Sequence, residues 1–491
     1  MTDSAAQAPG FSVTVHNNPN RSFADRDMHA VIEVTAHGIG ELLGGGTPEV
    51  AEVILVDGSG SMNYPHAKIL AARRATKNAI NVLREGTYFA VVAGTGQARM
   101  LYPQQTRLAV ADPITKARAA RAVDGLHANG GTAISTWLRL ARSLLAAQPD
   151  AVRHALLFTD GRNESESGTE LDAALADCAG EFTCDARGIG TNWEPAEVLR
   201  IVSALGGQGD AVREYADMTG ELAAIMARVM RKQVAKVGLR LRAMTGTSIS
   251  SVEQVYPTRI DLTDRMVGEH DGVIEVDTGA WGEETRQYLL GLAIDPTGKV
   301  PDAESVAARV EPVIAGTASL LDVGMGLVKL CWTEDAQRSV VLDPTVAVVF
   351  DQAELQHAID AGCAALSTQD AETAVAELGR AVRLAHLADN RENLRRLGRL
   401  VEIDDAEQGK VRLRDSFELE DLLSAEMGSV MTTRGGRQAT AAATAAPGRV
   451  IEPEPVPPPS ASDPVCKNCG FVGVPGDQRC ESCGKPLDSA R

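Results

Sequence analysis

Asp57, Ser59 and Ser61 stand on alternate positions, separated by glycines, directly after the apolar run Val53-Ile-Leu-Val56. One carboxylate and two hydroxyls offered by a single tight turn are hard oxygen ligands, suited to Mg²⁺ or Ca²⁺ rather than to a soft metal. Two later stretches carry related chemistry. Asn129-Gly-Gly-Thr132 is a glycine-rich turn with a further hydroxyl, and His154-Ala-Leu-Leu-Phe-Thr159-Asp160-Gly161 is an apolar run ending on a second carboxylate. Far away, Cys466, Cys469, Cys480 and Cys483 form two Cys-x-x-Cys pairs, each followed by glycine. Four thiolates so spaced converge on one tetrahedral Zn²⁺.

The elements that must position these groups follow from the pattern. Runs of four or more apolar residues bounded by turns read as parallel strands buried on both faces, and the Ala-rich stretch from Ala67 reads as the next helix. Asp57, Ser59, Ser61 and Asp160 then lie beyond the carboxyl ends of strands, where open α/β sheets bind ligands. With these three loops the chain resembles a von Willebrand factor type A domain with a metal-ion-dependent adhesion site, over roughly residues 50–235. Asp57, Ser59 and Ser61 match the first loop of that motif, Thr132 the second and Asp160 the third. The resemblance implies that the three hydroxyls contact the metal, directly or through water, and that both carboxylates are held mostly one water away. The cysteine-rich tail resembles a zinc ribbon. Its 25 or so residues hold too little apolar surface to fold alone, so metal must supply the folding energy.

Composition bounds the rest. The length of 491 residues suits about three domains, and 44% hydrophobic residues suffice for real cores. A net charge of −18 argues against a nucleic-acid partner, which would need a basic footprint. Met1-Thr-Asp-Ser-Ala-Ala-Gln has neither a basic nor an apolar leader region, and no run of about eighteen apolar residues occurs, so neither a signal peptide nor a membrane span is expected. Eight cysteines, four clustered and four scattered, fit a reducing compartment. Cys178 and Cys184 among them read as small buried hydrophobes. The expectation is a cytoplasmic protein, and abundant Ala and Arg point to a GC-rich bacterial source.

Along the chain, Phe11–Val15 and Ala30–Ala36 read as half-buried antiparallel strands. A domain of alternating strands and helices occupies 48–235. From 236 to 350 the period becomes two, with strands expected at 237–243, 273–276, 286–293 and 306–310, and a closing pair at Val340–Leu342 and Val346–Phe350. An isolated strand pair is marginal in water, so residues 1–47 are assigned to complete this later β-sandwich. The α/β domain, a doubly wound and mostly parallel sheet, is then an insertion into it. Residues 351–430 switch to helical spacing and read as a small bundle packed on the sandwich. A Pro- and Ala-rich stretch, 431–463, reads as a disordered linker, and 464–488 as the ribbon.

Two functions compete. Two carboxylates balance a divalent cation and leave a near-neutral Lewis acid with one octahedral position open. A Glu or Asp of a partner protein can fill it, and the resemblance implies this use in an intracellular scaffold or adaptor. A metal-dependent phosphohydrolase would need a general base or phosphate clamp near the loops. His66 and Arg162 are the nearest such groups in sequence. No nucleophile–base pair and no phosphate-binding Gly-x-x-x-x-Gly-Lys loop accompanies them, so a binding protein rather than an enzyme is expected.

Overall fold

In the computed structural model, which describes residues 9–42, 47–268, 272–314, 324–432 and 434, the apolar run before Asp57 becomes the strand Val50–Asp57. Every residue of that strand is buried. Val53 and Leu55 face one core with Trp137, Leu138 and Leu175, while Ile54 and Val56 face a second with Ile69, Ala72 and Ile225. Burial on both faces is why the run is continuously apolar rather than alternating.

The sheet runs in the order Gly209–Val212, Thr183–Ile189, Val152–Thr159, Val50–Asp57, Tyr88–Gly94, Arg99–Tyr102. The first four pairings are parallel and the last is antiparallel. Helices Ile134–Leu145, Gly168–Cys178 and Pro195–Leu205 cover one face. Ala67–Val82, Pro113–Asp124 and Met218–Met230 cover the other. From Val50–Asp57 the chain steps to Tyr88–Gly94 on one side and later crosses to Val152–Thr159 on the other. The carboxyl ends of Val50–Asp57 and Val152–Thr159 therefore flank the point where the winding reverses, which is where such sheets leave a crevice. Cys178 and Cys184 are free and buried in the first core.

Segments on both sides of this domain in sequence build two further sheets. Gly10–His16 pairs with Asp27–His37, which pairs in turn with Thr285–Ile294, followed by Thr247–Tyr256 and Ile260–Asp261. Asn20–Ser22 joins a six-stranded sheet with Gly326–Thr333, Glu304–Ile314, Val237–Ala243, Val273–Asp277 and Met266–Gly268. Ile32, Leu290, Leu239, Val310 and Trp332, drawn from both sheets, share one core.

The expected closing strands at 340–342 and 346–350 are absent. Pro344–Ser367 is one helix, with Asp343 accepting from the Thr345 and Val346 amides and Pro344 in its first turn. This capping signal outweighs the β-branched look of Thr345-Val-Ala-Val-Val. The outer strand is instead Gly326–Thr333, which buries Val328, Leu330 and Trp332 on alternate positions.

Helices Ala371–Leu387 and Arg391–Leu400 follow, then a hairpin, Val401–Asp405 with Lys410–Leu413, and the helix Leu419–Gly428. This region does not rest on the sandwich alone. Leu423 and Met427 enter a core of the site-bearing sheet, and Arg396 forms two bonds to Asp210, at 2.8 and 2.9 Å. Met431 bridges Thr258 and the Thr432 hydroxyl donates to the Val255 carbonyl, so packed chain continues beyond 430. All described residues belong to one compact unit, 1–437. The rest of the linker, 435–463, and the ribbon, 464–488, lie outside the described residues.

Candidate metal centre

The three expected loops meet at one point. Asp57 ends its strand fully buried, with Oδ1 accepting from the Ser59 amide at 2.7 Å. Its Oδ2 accepts from the Thr159 hydroxyl at 2.5 Å and the Asp160 amide at 3.3 Å. Burial pushes the Asp57 carboxyl up to about 6, against the pull of its bonds to Ser59 and Thr159. The Ser59 and Ser61 hydroxyls lie 2.8 Å apart, and Ser61 Oγ donates to Asp160 Oδ1 at 2.7 Å.

Thr132 completes the group. A Cβ built on Gly161 would lie 3.0 Å from Ser61 Oγ, 3.2 Å from Thr132 Oγ1 and 3.6 Å from Ser59 Oγ. Three hydroxyl oxygens from two loops thus surround one small space, kept open because residue 161 has no side chain. All five expected residues, Asp57, Ser59, Ser61, Thr132 and Asp160, are brought together.

The loops are tied to one another by backbone hydrogen bonds. Gly60 donates to the Gly130 carbonyl at 2.8 Å, Asn129 to that of Gly58 at 2.7 Å, and Gly58 to that of Gly94 at 2.7 Å. Gly130 has φ +88°, a left-handed conformation that disfavours side chains. The loop after Asp160 then fastens the Thr132 turn. Ser165 Oγ accepts from the Thr132 amide at 3.1 Å, Asn163 Oδ1 from Ile134 at 3.0 Å, and Glu166 Oε1 from Ser135 at 2.9 Å.

Trp137 braces the same end of the sheet, its indole N–H donating to the Thr95 carbonyl at 2.7 Å. The ring lies where a Cβ of Gly94 would stand, 2.3 Å from two of its carbons. Asn163, Ser165, Glu166 and Gly94 were not singled out in the sequence. The Gly-Thr-Gly run at 94–96 marks a turn, but nothing there announces the tryptophan above it.

One residue changes the electrostatics. Lys68, in the first turn of the helix Ala67–Val82, is buried and donates to Asp160 Oδ2 at 2.7 Å. His66, by contrast, is an exposed residue at the start of that helix, and Arg162 pairs with Glu194 at 3.6 Å. The donor set fits a hard divalent cation: two buried carboxylates, each already fixed by hydrogen bonds, behind three convergent hydroxyls.

A family profile described as von Willebrand factor type A domain matches residues 51–210. Among solved structures, a von Willebrand factor type A protein from Catenulispora acidiphila is 38% identical, with 88% of this chain and 99% of that one covered and a TM-score of 0.79. The ArnB paralog VWA2 from Sulfolobus acidocaldarius is 12% identical over 86% of this chain and 98% of its own, with a TM-score of 0.49. Proximal thread matrix protein 1 from the mussel byssus, solved with a zinc-occupied MIDAS motif, is 17% identical over 37% of this chain and 48% of its own, with a TM-score of 0.31. No curated protein matches.

Proposed function

The chain belongs to the von Willebrand factor type A family, and from that premise we propose that it is a non-enzymatic, cytoplasmic scaffold or adaptor whose adhesion site captures an acidic residue of a partner protein through a divalent cation. The observation that carries this is the convergence of Ser59, Ser61 and Thr132 within 3.6 Å of one point, backed by Asp57 and Asp160. These residues would hold Mg²⁺, which supplies a Lewis acid that accepts one more oxygen. Asp57, which accepts from Ser59, Thr159 and Asp160, anchors the loops and would orient water on the bound cation. Asp160 ties the Ser61 hydroxyl to the third loop.

Lys68 sharpens the choice of ligand. Two carboxylates and a divalent cation alone are neutral, but the buried ammonium brings the loaded site to a net single positive charge. Such a site favours an anionic oxygen over water or a neutral carbonyl, hence a Glu or Asp of the partner. A phosphate ester would satisfy the same charge. The hydrolase alternative has less support, since His66 is exposed and Arg162 is paired with Glu194.

The layout is consistent with an adhesion domain inserted between the strands of a β-sandwich, an arrangement that fixes the site-bearing loops on a broad base. Cys466, Cys469, Cys480 and Cys483, outside the described residues, are proposed to hold one Zn²⁺ as a separately folding ribbon. Metal analysis of the reduced protein finding no zinc, or zinc retained in Cys480→Ser, would remove that part of the proposal. Among the described residues no helix is long and apolar enough to cross a membrane. The functional test is partner capture by wild type and Asp57→Ala with Mg²⁺ or chelator present. Capture that needs both Mg²⁺ and Asp57 supports the adhesion reading. Capture indifferent to both sinks it, and phosphate-ester turnover abolished by Asp57→Ala would favour the hydrolase.

A further inference from the structure

Positive charge is concentrated on one flank of the site-bearing sheet. Residues 58–125 carry ten Lys and Arg against three Asp and Glu, a local +7 within a chain of net −18, which leaves −25 on the rest. Lys68 and Lys77 are held by Asp160 and Asp124, and Arg73, Arg84 and Lys116 donate to backbone carbonyls. The other five, Arg74, Arg99, Arg107, Arg118 and Arg121, are exposed and form neither an ion pair nor a side-chain hydrogen bond among the described residues. Like charges gathered without counter-charges repel one another, and they gain most from an oppositely charged partner.

The flank begins at the metal loops and runs away from them. Helix Pro113–Asp124 lies against the edge strand Arg99–Tyr102, burying Ala119 and Val123 while Arg118 and Arg121 face outward. Arg107 and Arg118 both stand near the Tyr102 hydroxyl. Arg99 is in register with Ala93, the residue before Gly94, whose carbonyl accepts from the Gly58 amide at 2.7 Å. The edge strand thus starts at the metal end of the sheet. The helix also ends there, because Asn129, five residues beyond Asp124, donates to the Gly58 carbonyl at 2.7 Å. At 1.5 Å per helical residue, Arg121 and Arg118 lie about 5 and 9 Å back from that end. Arg73 donates to the Leu126 carbonyl and fixes helix Ala67–Val82 alongside, with Arg74 next to it in the chain.

We propose that this arginine flank docks an acidic segment of the same partner protein whose Glu or Asp fills the metal site, an inference that rests on the adhesion reading and extends it beyond the cation. Arginine's planar fork matches a carboxylate, and the flank is continuous with a site suited to one. Val110 and Ile114, 47% and 63% exposed, lie on the same strand-to-helix segment as Arg107 and Arg118. They suit a polypeptide with apolar residues among its carboxylates better than a phosphate backbone. The negative charge on the rest of the chain turns an acidic segment away from other faces and toward this one.

The test is fluorescence polarisation of the full chain with a labelled oligoglutamate peptide, and with labelled oligothymidylate of equal length as the rival polyanion. Each is titrated at low and high salt, with Mg²⁺ or chelator. The peptide is expected to bind at low salt, and about tenfold more weakly to the Arg118→Glu, Arg121→Glu double variant. An Arg242→Glu, Arg309→Glu double variant makes the same change in net charge on a neighbouring pair of exposed strand positions in the six-stranded sheet, and should bind within about twofold of wild type. Thermal melts check the fold of both. Asp57→Ala should remove the Mg²⁺-dependent part of the affinity and leave the salt-sensitive part. Wild-type binding that needs the arginines but not Mg²⁺ would count against the adhesion reading and leave the flank standing. No peptide binding, equal weakening by the two double variants, or tighter binding of oligothymidylate than of the peptide would each overturn the proposal. Self-association of the wild type that is lost in the Arg118→Glu, Arg121→Glu variant would assign the flank to a second copy and overturn it as well.

Discussion

Lys68→Met should tighten Mg²⁺ binding. In the native site the Lys68 ammonium lies 2.7 Å from Asp160 Oδ2, and Asp160 Oδ1 lies 2.7 Å from Ser61 Oγ. Across the width of one carboxylate, the ammonium is thus within about 8 Å of the hydroxyl group that would ligate the cation. At an effective dielectric of about 20, each unit of cation charge at that distance feels about 2 kcal/mol of repulsion. A divalent ion doubles the figure and water at an open site reduces it, so about 2 kcal/mol, a roughly 30-fold tightening, is the expected net effect. Methionine keeps the length and apolar stem of the side chain. Its cost falls on the metal-free protein, where Asp160 loses its buried partner, and the variant's melting temperature should therefore rise more steeply with Mg²⁺ than that of wild type. The same substitution returns the loaded site to neutrality and should weaken capture of an acidic partner. Calorimetric Mg²⁺ titration of wild type, Lys68→Met and Lys68→Arg reads the effect. Unchanged or weaker Mg²⁺ binding in a folded Lys68→Met protein would refute the charge argument.

Other substitutions probe the frame around the site. Gly161→Ala puts a methyl 3.0 Å from Ser61 Oγ and 3.2 Å from Thr132 Oγ1, and should abolish Mg²⁺ binding while the circular dichroism spectrum is retained. Gly94→Ala drives a methyl to 2.3 Å from the Trp137 ring and should destabilise by about 1–3 kcal/mol or more in urea denaturation; a loss under about 0.5 kcal/mol would show that the ring is free to move. His154 faces Glu52 and Asp185, with Arg228 and Arg187 also beside Asp185, and is raised to about 9. Its folded value exceeds the ordinary 6.5, so its stabilisation is complete below about pH 6.5 and is lost as pH climbs through 9. Wild type should lose up to about 3 kcal/mol relative to His154→Gln across that window, and parallel pH profiles for the two would contradict the assignment.

The five oxygen donors are legible in the sequence because each sits where local pattern speaks. Asp57 and Asp160 end apolar runs, and Ser59, Ser61 and Thr132 lie in glycine-punctuated turns. The doubly wound sheet is legible for the same reason, since strands buried on both faces are written as unbroken apolar runs. Lys68 is not legible. A single lysine on an Ala-rich helix looks like a solvated one until a carboxylate 92 residues away is brought against it. The helix Pro344–Ser367 is misread because its first turn is β-branched and only Asp343-Pro344 betrays the cap. Gly209–Val212 is missed because it is only four residues long, and Gly326–Thr333 because its alternation gives way to a wholly buried second half.

The most direct test of the central claim is calorimetric titration of Mg²⁺ into the wild-type protein and Asp57→Ala, repeated with a saturating acidic partner peptide once capture has supplied one. The account predicts one Mg²⁺ at the adhesion site of the wild type, tighter in the presence of the peptide, and neither signal in a folded Asp57→Ala chain. Mg²⁺ binding that survives Asp57→Ala undiminished, or peptide binding that is equally strong without Mg²⁺, would contradict it.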